Sequence, residues 1–381
     1  MDLPRVLVLG AGFGGLAAAT TLRQALGERV DLLVVDAVPD FMMGLRQLWL
    51  LDGRATRAEG TRDRRTLPAR AIPFRQGTAQ AIDPERRLVA VDGDFLGYDY
   101  LIVALGAQPR SDLIPGGVAG GYNLYLPEEA EALGHRLRDL ERGRILIAIA
   151  GLPYKCPPAP YEAAFVIEAM LRRTGRRSAV EMEVLTPQAM SLPVAGPAAC
   201  AQVEGTLAAR HIRFRTRAQV QRVEATRVLL ADGSEVAADV VVYVPPHRPP
   251  AAVATSGLTE GEWVRPDPRT LATKADRVFA LGDVTEIPLA SGQTLPKAGV
   301  FAERQGEVVA SNLADLLTGR EPAARFDGAG YCFIEVGDGQ ATMVDGRFFA
   351  DPPDVRVAEP TAESLAAKEA FERERLQRWF G

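Results

Sequence analysis

Residues 5–16 read RVLVLGAGFGGL, and this stretch decides the fold class. An apolar run of the length of one buried strand passes directly into a glycine-rich turn and then into an alanine-rich helix. A second apolar run, Val30 to Val35, ends in Asp36, where a ribose-binding acid is expected after such glycines. Strand, glycines, helix, strand and acid in this order predict a dinucleotide-binding, Rossmann-like domain. A glycine-rich turn with a merely solvated Asp36 is the alternative.

The composition of the 381-residue chain is that of a globular protein long enough for two or three domains. A net charge of −5 with dispersed basic residues argues against a nucleic-acid partner. No apolar stretch approaches the roughly 18 to 20 residues of a transmembrane helix, and we expect no signal peptide and a cytoplasmic location. Three cysteines, Cys156, Cys200 and Cys332, are too few and too scattered for a disulfide framework, and their spacing supports no metal site.

Three later segments resemble parts of flavoproteins that have two dinucleotide-binding domains. Residues 98–109 form a predicted strand that closes on Gly106, similar to the second FAD fingerprint of those proteins. Residues 277–283 resemble the motif whose aspartate, here Asp283, binds the ribityl chain of FAD. Residues 295–302 open a predicted helix, where Lys297 would stabilise negative charge on the reduced flavin. A plain surface lysine is the alternative for Lys297.

The second domain starts with a predicted helix around Pro127 to Leu140 and a strand that runs into GLPYKCPPAPYE, residues 151–162. An NAD(P)H pyrophosphate would need glycines and free backbone N–H groups here, and proline has no N–H to donate. The next predicted strand ends in Thr186 and Pro187 instead of a ribose-binding acid or arginine. These features argue against NAD(P)H binding, although a variant loop that binds the same cofactor is the alternative.

The cysteines differ in their sequence surroundings. Cys156 lies about one turn before a predicted helix, a position that favours a thiolate. In the C-terminal hairpin, strand alternation places Cys332 and Ile334 on the inner face and Glu335 on the outer face. Cys200 is expected to be a small buried hydrophobe. Only tertiary folding could bring Cys156 and Cys332 together, and plain packing is an open alternative for Cys332.

A charged helix is predicted from Ser364 to Phe380, and its apolar residues form a partial stripe. Either the stripe packs on the protein itself, or the helix lies on a membrane surface with its arginines at the headgroups. The stripe consists of Phe371, Leu376, Trp379 and Phe380, and the arginines are Arg373, Arg375 and Arg378.

From Gly10 to the C-terminal hairpin, the chain resembles the sulfide:quinone oxidoreductase and flavocytochrome c sulfide dehydrogenase family, most specifically in residues 155–162, residues 295–299 and Cys332. In that family two cysteines flank the isoalloxazine ring and cycle through a disulfide or polysulfide while sulfide is oxidised and FAD is reduced. The resemblance implies that Cys156 and Cys332 are the catalytic pair. It also implies a small sulfur substrate and, as electron acceptor, a quinone or a cytochrome.

Two departures from the family pattern are visible. Many quinone-linked members carry a third redox cysteine before the second domain, whereas residues 123–126 contain none. The dehydrogenase branch commonly tethers FAD through a cysteine in the region of residues 41–45, and none lies there either. We therefore expect non-covalent FAD.

The expected fold class is α/β, with two Rossmann-like dinucleotide-binding domains, the FAD domain being discontinuous, and a small C-terminal α+β domain. The expected boundaries are 1–110 and 250–320 for the FAD domain, 111–249 for the second domain and 321–381 for the C-terminal domain. The expected FAD contacts are Gly10, Gly12, Phe13, Gly14, Gly15, Asp36, Ala37, Ala79, Ala104, Gly106, Gly282, Asp283, Lys297, Ala298 and Gly299.

These features favour an FAD-dependent enzyme that oxidises sulfide or a related sulfur donor. Peripheral contact with the inner face of the cell membrane through the C-terminal helix is one of the two interpretations of that helix. Two alternatives stay open. One is a type II NAD(P)H:quinone oxidoreductase with the same fold. The other is a non-catalytic flavoprotein subunit that transfers electrons or senses redox state.

Overall fold

A computed structural model describes residues 3–381 of the chain. The first segment begins with the strand that precedes the glycine turn. Its elements are β1 (Arg5–Leu9), α1 (Phe13–Leu26), β2 (Asp31–Asp36), β3 (Asp40–Phe41), α2 (Arg46–Leu51), α3 (Arg57–Gly60), β4 (Arg62–Asp63), β5 (Phe74–Gln76), β6 (Ala79–Asp83), β7 (Leu88–Val91), β8 (Asp94–Gly97), β9 (Tyr100–Val103) and β10 (Gln108–Pro109).

The middle segment repeats the alternation of strands and helices. Its elements are α4 (Gly117–Gly120), β11 (Tyr122–Asn123), α5 (Pro127–Asp139), β12 (Gly143–Ile149), α6 (Ala159–Arg173), β13 (Val180–Leu185), α7 (Gly196–Ala209), β14 (Arg213–Arg215), β15 (Val220–Glu224), β16 (Arg227–Leu230), β17 (Glu235–Ala237), β18 (Val240–Val244) and β19 (His247–Arg248).

The last segment returns to the first domain and ends in a hairpin and a long helix. Its elements are α8 (Ala251–Ala254), β20 (Thr259–Glu260), β21 (Trp263–Val264), β22 (Val278–Ala280), α9 (Gly299–Leu317), β23 (Ala329–Gly337), β24 (Gln340–Arg347), β25 (Asp354–Val357) and α10 (Ala362–Phe380).

The first sheet is parallel and has the strand order β22-β9-β1-β2-β5. Its strands are continuous apolar runs because helices α1 and α9 cover one face, while the β6-β7-β8 sheet packs against the other. The two helices approach closely at Gly14 and Gly306, since a Cβ at Gly306 would lie 2.3 Å from the Gly14 carbonyl oxygen. Strand β22 follows the whole second domain in sequence, so this domain is discontinuous, as predicted.

The second sheet is also parallel, with the order β11-β18-β12-β13-β14. Strand β10 pairs with β19 where the chain passes between the two domains. The C-terminal segment forms the antiparallel sheet β23-β24-β25, on which α10 packs. This architecture confirms the predicted fold class, whereas the exact domain boundaries stay a prediction.

The structure favours one of the two interpretations of the apolar stripe on α10. Trp379 is fully buried and Leu376 is nearly so, because the apolar stripe packs against the first domain. Arg375 donates to Glu303 at 2.8 Å, and Arg378 donates to Glu307 at 2.8 Å, so both arginines are held by α9. The stripe therefore packs on the protein itself, which was the first of the two interpretations. In the described part of the chain, no helix is long and apolar enough to cross a membrane.

Strand β23 corrects a second expectation. Alternation placed Glu335 on an exposed outer face, but Glu335 is only 2 % exposed. Its carboxylate accepts a hydrogen bond from the indole of Trp49 at 3.2 Å and is paired with Arg54. Both faces of β23 are covered here, so the alternation rule for a half-buried strand does not apply.

Candidate functional site

The first glycine turn joins β1 to α1 and is shaped by close backbone contacts. A Cβ at Gly15 would lie 1.8 Å from the Gly10 carbonyl oxygen, so only glycine fits there. Gly10 has a φ of +96° and lies against the Ala104 carbonyl. Asp36 accepts a hydrogen bond from the Ala11 N–H at 2.7 Å, which fixes the turn to the end of β2.

Gly12 differs from these glycines because no neighbouring protein atom would clash with a side chain at its Cβ position. A Cβ at Gly12 would meet no atom within 4 Å in the described residues, and the backbone there has a negative φ. A glycine with open space in front of it is the arrangement that lets a pyrophosphate approach the backbone at a helix N-terminus. This cradle fits the phosphates of FAD.

Most of the residues predicted to contact FAD follow the carboxyl ends of β1, β2, β9 and β22, where open parallel sheets bind ligands, whereas Ala79 begins β6 and residues 297–299 lead into α9. Ala37 is exposed beside Asp36. Gly106 has a φ of +67°. A Cβ at Gly299 would lie 2.9 Å from the Phe13 ring, so α9 begins directly beside the first glycine turn. The role of each residue toward FAD stays a prediction.

Asp283 and Lys297 form the polar end of this site. Asp283 is half-buried, desolvation raises the pKa of its carboxyl group, and its buried Oδ1 atom has no hydrogen-bond partner among residues 3–381. An orphaned buried acceptor is expected where a sugar hydroxyl of a bound cofactor would donate. Asp283 and the open space at Gly12 therefore both fit a dinucleotide cofactor.

Lys297 lies beside Asp283, and its ammonium group is already engaged. Its Nζ atom donates to the carbonyl oxygens of Asp283 at 2.9 Å and of Thr285 at 2.8 Å. It also lies 3.4 Å from the centroid of the Trp263 ring. Burial lowers the pKa of Lys297 to about 8. Lys297 is thus not a plain surface lysine.

The second turn, between β12 and α6, has no equivalent cradle. The Ala159 N–H donates to the Cys156 carbonyl at 2.9 Å, and the N–H groups of Tyr161 and Glu162 both donate to the Pro158 carbonyl at 3.0 Å. Pro160, which lies between them, has no N–H. Within the described chain, the first turn of α6 therefore has no free donor for a pyrophosphate.

Cys156 occupies the tip of this second turn in an unusual backbone conformation. Its φ is +50°, which is uncommon for a residue other than glycine and is often found at functional sites. Its N–H donates to the Lys297 carbonyl at 2.7 Å, and its own carbonyl accepts from the Tyr125 hydroxyl at 3.3 Å. The turn is therefore tied to the segment that carries Lys297.

The structure brings Cys156 and Cys332 together. Both are half-buried free thiols, and both line one cavity of about 220 Å³. The Cys332 thiol is near enough to raise the pKa of Cys156, and it donates to the Phe333 carbonyl at 3.5 Å. Lys297 and Ala298 line the same cavity, whose remaining walls are mostly apolar. Cys200 is buried in a different place, where its sulfur accepts from the Leu192 N–H at 3.4 Å.

The expected Cys156 thiolate is not supported. A hydrogen bond to the Cys332 thiol and burial raise the pKa of Cys156 well above its ordinary value. The expectation considered only the helix N-terminus, and the α6 donors that could stabilise an anion are bonded to carbonyl groups instead. In the reduced pair, Cys156 is held as a neutral thiol.

A buried ion cluster behind the cysteines was not foreseen. Lys368 on α10 donates to Glu162 on α6 at 2.6 Å and lies 3.4 Å from Glu335 on β23. Burial lowers the pKa of Lys368, but Glu162 and Glu335 outweigh this effect and raise it, so Lys368 stays protonated. Its positive charge partly offsets the effects that raise the pKa of Cys156. Lysine is a rare residue in this chain, so Lys368 stands out in the sequence, but its rarity does not reveal which residues it pairs with.

The chain matches one known protein family over most of its length. The family described as pyridine nucleotide-disulphide oxidoreductase matches residues 4–152 and 161–306. Most of the turn between β12 and α6, including Cys156, lies between the two matched segments. The match covers most of both parallel-sheet domains.

Several curated relatives span most of the chain. The mitochondrial sulfide:quinone oxidoreductase of Mus musculus is 24% identical over 91% of this chain and 79% of its own length. The sulfide-quinone reductase of Aquifex aeolicus is 25% identical over 91% of this chain and 83% of its own length. The demethylphylloquinone reductase NdbB of Synechocystis is 28% identical over 83% of this chain and 80% of its own length.

Among solved structures, the sulfide:quinone oxidoreductase of Aquifex aeolicus superimposes with a TM-score of 0.89 at 24% identity, covering 99% of this chain and 91% of that one. The fold is therefore shared along the full length. The resemblance noted in the sequence is confirmed.

Proposed function

The chain belongs to the pyridine nucleotide-disulphide oxidoreductase family and is an FAD-dependent oxidoreductase, and from that premise we propose that it oxidises sulfide and passes the electrons to a quinone. The observation that carries the proposal is that Cys156 and Cys332 line one cavity, which Lys297 also lines. Two thiols that meet in one cavity can form and break a bond to each other. A packing role for either cysteine would not require the other one beside it.

The proposed reaction begins with the pair in its disulfide form. Hydrosulfide attacks one sulfur of the bridge, so a new S–S bond forms a cysteine persulfide, and the electron pair of the broken bond remains on the other cysteine as a thiolate. The persulfide and thiolate then lose two electrons and one proton together, and the inserted sulfur bridges both cysteines as a trisulfide. FAD, when bound, supplies the acceptor for this electron pair. A further hydrosulfide releases the extra sulfur as a persulfide or polysulfide product.

Several residues of this chain would serve that reaction without changing their own oxidation state. Lys368 places a positive charge near the pair and stabilises the thiolate that each bond cleavage generates. The mostly apolar cavity walls limit water around a reactive persulfide. Lys297 would face a reduced flavin as a cation below a pH of about 8, since burial lowers its pKa to that value.

FAD is proposed to bind non-covalently. The cofactor-binding set is the one predicted from the sequence, supported by the open space at Gly12 and the orphaned Asp283 carboxylate oxygen. The chain has no cysteine between residues 41 and 45, where the dehydrogenase branch attaches its flavin. Acid denaturation should therefore release all of the flavin into the supernatant.

A quinone is the proposed electron acceptor because the sulfide-oxidising relatives and the Synechocystis relative are named for quinone reduction. A cytochrome acceptor is the alternative. The proposed location is the cytoplasmic side of the cell membrane, where a lipid-soluble quinone is reached. Leu376 and Trp379 of α10 are buried against the protein, so neither side chain is available for contact with a membrane.

A type II NAD(P)H:quinone oxidoreductase is the second candidate. The Synechocystis relative and an alternative NAD(P)H-ubiquinone oxidoreductase of Arabidopsis thaliana, 25% identical over 81% of this chain, favour it. The bonded N–H groups at the start of α6 and the packing of Gly151 on Pro246 argue against it, since a Cβ at Gly151 would lie 2.5 Å from the proline ring.

Anaerobic reduction of the purified, FAD-loaded protein separates the candidates. Sulfide should bleach the oxidised flavin band, whereas NADH at the same concentration should reduce the flavin at least about a hundredfold more slowly. Cys156→Ser should abolish bleaching by sulfide, and Cys200→Ser should behave as wild type because its sulfur lies outside the cavity. Full bleaching of Cys156→Ser by sulfide, or rapid bleaching of wild type by NADH, would contradict the proposal.

A further inference from the structure

Glu162 is a buried carboxylate that links three elements of the molecule. It lies in the first turn of α6 and is 2 % exposed. Its Oε1 atom accepts a hydrogen bond from the Glu335 N–H on β23 at 2.7 Å and another from Lys368 Nζ on α10 at 2.6 Å. A buried carboxylate needs such partners, because an unpaired buried charge is strongly destabilising. One side chain therefore holds α6, β23 and α10 together.

The turn that carries Cys156 is coupled to Glu162 through the start of α6. The Cys156 carbonyl accepts from the Ala159 N–H at 2.9 Å. The Glu162 N–H donates to the Pro158 carbonyl at 3.0 Å. Because these hydrogen bonds follow one another along the chain, a shift of Glu162 would also shift the Cys156 turn.

The strand that carries Cys332 is coupled to the same carboxylate. Cys332 lies three residues before Glu335 on β23, and this strand is paired with β24, where Cys332 is opposite Val344 and Glu335 is opposite Ala341. Since the strand is paired over this length, the hydrogen bond at the Glu335 N–H also limits where Cys332 can lie. Glu162 thus connects the turn of one cysteine to the strand of the other.

A second contact between α6 and the C-terminal hairpin lies farther from the cysteines. Near the end of α6, Arg172 donates to Asp338 in the turn between β23 and β24. These two side chains are 48 % and 42 % exposed, and exposed ion pairs contribute little to stability. The Glu162 junction is buried and lies close along the chain to both cysteines.

We infer that Glu162 is a positioning residue for the cysteine pair, because it holds the Cys156 turn against the Cys332 strand and so sets the stability of the disulfide relative to the two thiols. A disulfide tolerates only a narrow range of distances and angles between its cysteines, and a displaced pair forms a strained bond that is more easily reduced. The inference rests on the proposed disulfide, and it does not depend on sulfide being the substrate.

The equilibrium between the disulfide and the two thiols measures this role. The FAD-loaded protein is equilibrated anaerobically at pH 7 with mixtures of reduced and oxidised dithiothreitol, so that the disulfide takes up two electrons and two protons while dithiothreitol becomes its cyclic disulfide. Free thiols at Cys156 and Cys332 are then counted by alkylation and peptide mass. A contact that only stabilises the fold contributes equally to both redox forms and cancels from this equilibrium.

Three variants separate position from charge and from stability. Glu162→Met removes both acceptor interactions and should make the disulfide about tenfold easier to reduce, a shift of about 30 mV. Glu162→Gln keeps an amide oxygen for the Glu335 N–H and should stay within about threefold of wild type. Glu372→Met is the matched control and should stay within about twofold, because Glu372 is also 2 % exposed but pairs with Arg46 on α2, which carries no cysteine.

Two results with these variants would overturn the inference. One is an unchanged equilibrium in folded Glu162→Met. The other is an equal shift in Glu162→Met and Glu162→Gln, which would mean that the charge of Glu162 matters and its hydrogen bonds do not.

Lys368→Met decides the question if Glu162→Met does not fold. Without the ammonium group that both contact, the Glu162 and Glu335 carboxylates repel each other, so the disulfide should again become easier to reduce. An unchanged or harder reduction would mean that Lys368 acts only through its charge, and it would contradict the inference. A wild type that forms no disulfide in any mixture would refute the proposed function as well, whereas a wild-type disulfide with unchanged variants would refute only the role of Glu162.

Discussion

The two strand-to-helix turns at the centre of the molecule occupy equivalent places in two similar domains and have opposite chemistry. The first turn, between β1 and α1, leaves open space in front of Gly12. The second turn, between β12 and α6, uses its backbone donors internally and presents Cys156 to the cavity. The same strand-to-helix fold therefore does not determine which ligand its turn can bind. Free N–H groups make such a turn a phosphate cradle, whereas prolines and internal hydrogen bonds make it a rigid support for a thiol.

The C-terminal helix contacts both turns. Trp379 packs edge-on against Phe13 at the start of α1, with ring centroids 5.4 Å apart. Lys368 is paired with Glu162 in the first turn of α6 at 2.6 Å. Helix α10 therefore braces the cofactor turn at one end and the cysteine turn at the other, which explains why its apolar stripe is buried.

Removal of the Trp379 side chain, which packs against the first turn, is expected to have the largest effect, and this effect is on stability. Trp379→Ala should lower the free energy of unfolding by about 3–5 kcal/mol, because it deletes a fully buried aromatic side chain from the core around Phe13 and Phe41. Denaturant unfolding of the purified protein measures this change. Arg373→Ala, at an exposed position on the same helix, is the matched control and should change stability by less than about 0.5 kcal/mol.

The buried stripe also makes a prediction about membranes. Trp379→Ala should lower binding to lipid vesicles only to the extent that it unfolds the protein. A variant that keeps the stability of the wild type but loses vesicle binding would show that Trp379 faces lipid and that the packing described for α10 is wrong.

Filling the open space of the first turn should have the next largest effect. A Cβ at Gly12 meets no atom within 4 Å among the described residues, so we expect Gly12→Val to change the unfolding free energy of the apoprotein by less than about 1 kcal/mol. The side chain would occupy the space assigned to the pyrophosphate, and FAD affinity should fall about a hundredfold or more, which corresponds to about 2.7 kcal/mol. Isothermal titration with FAD measures the affinity.

Gly205→Val on α7 is the control for Gly12→Val, since a Cβ there also meets no described atom within 4 Å. It should leave FAD affinity unchanged. If Gly12→Val binds FAD as tightly as the control does, the first turn is not the phosphate cradle, and the contrast between the two turns fails.

The smallest expected effect concerns the protonation of the Cys156 thiol in the second turn. The hydrogen bond to Cys332 is the main cause of the raised Cys156 pKa, so Cys332→Ala should lower that pKa. A lower pKa means more thiolate at neutral pH, and iodoacetamide should alkylate Cys156 several-fold faster in Cys332→Ala than in the reduced wild type.

The difference in alkylation should shrink as the pH rises, since above both pKa values the thiol is ionised in either protein. Peptide mapping of Cys156 between pH 7 and 10 would check this dependence, with Cys200 as the internal reference. Slower alkylation of Cys156 in Cys332→Ala would mean that Cys332 stabilises the thiolate, opposite to the direction inferred here.

The sequence was sufficient for features that depend on local order. The apolar runs, the glycines of residues 10–15 and Asp36 predict the first domain, because these elements are consecutive in the chain and in the sheet. The prolines around Cys156 predict the missing donors of the second turn, since proline has no N–H wherever the chain folds. The resemblance to sulfide-oxidising flavoproteins pointed to Cys156 and Cys332 before their contact was visible.

Features that depend on distant contacts could not be predicted. The partners of Lys368 lie on α6 and β23, far from it in sequence, and no spacing links them. The apolar stripe of α10 has the same pattern whether it packs on protein or on lipid, so periodicity could not decide between them. The sequence also gives no sign that the buried Nε2 atom of His247 has no partner among the described residues, because this can be recognised only when the neighbours of the ring are known.

The most direct test of the central claim is the mass of the peptide that joins Cys156 to Cys332 after the oxidised, FAD-loaded protein is mixed anaerobically with one equivalent of sulfide and then quenched with iodoacetamide. We expect a cross-linked peptide that carries one additional sulfur atom, formed in step with bleaching of the flavin band. Complete bleaching with both cysteines recovered as separately alkylated thiols, and no sulfur added to either, would contradict it.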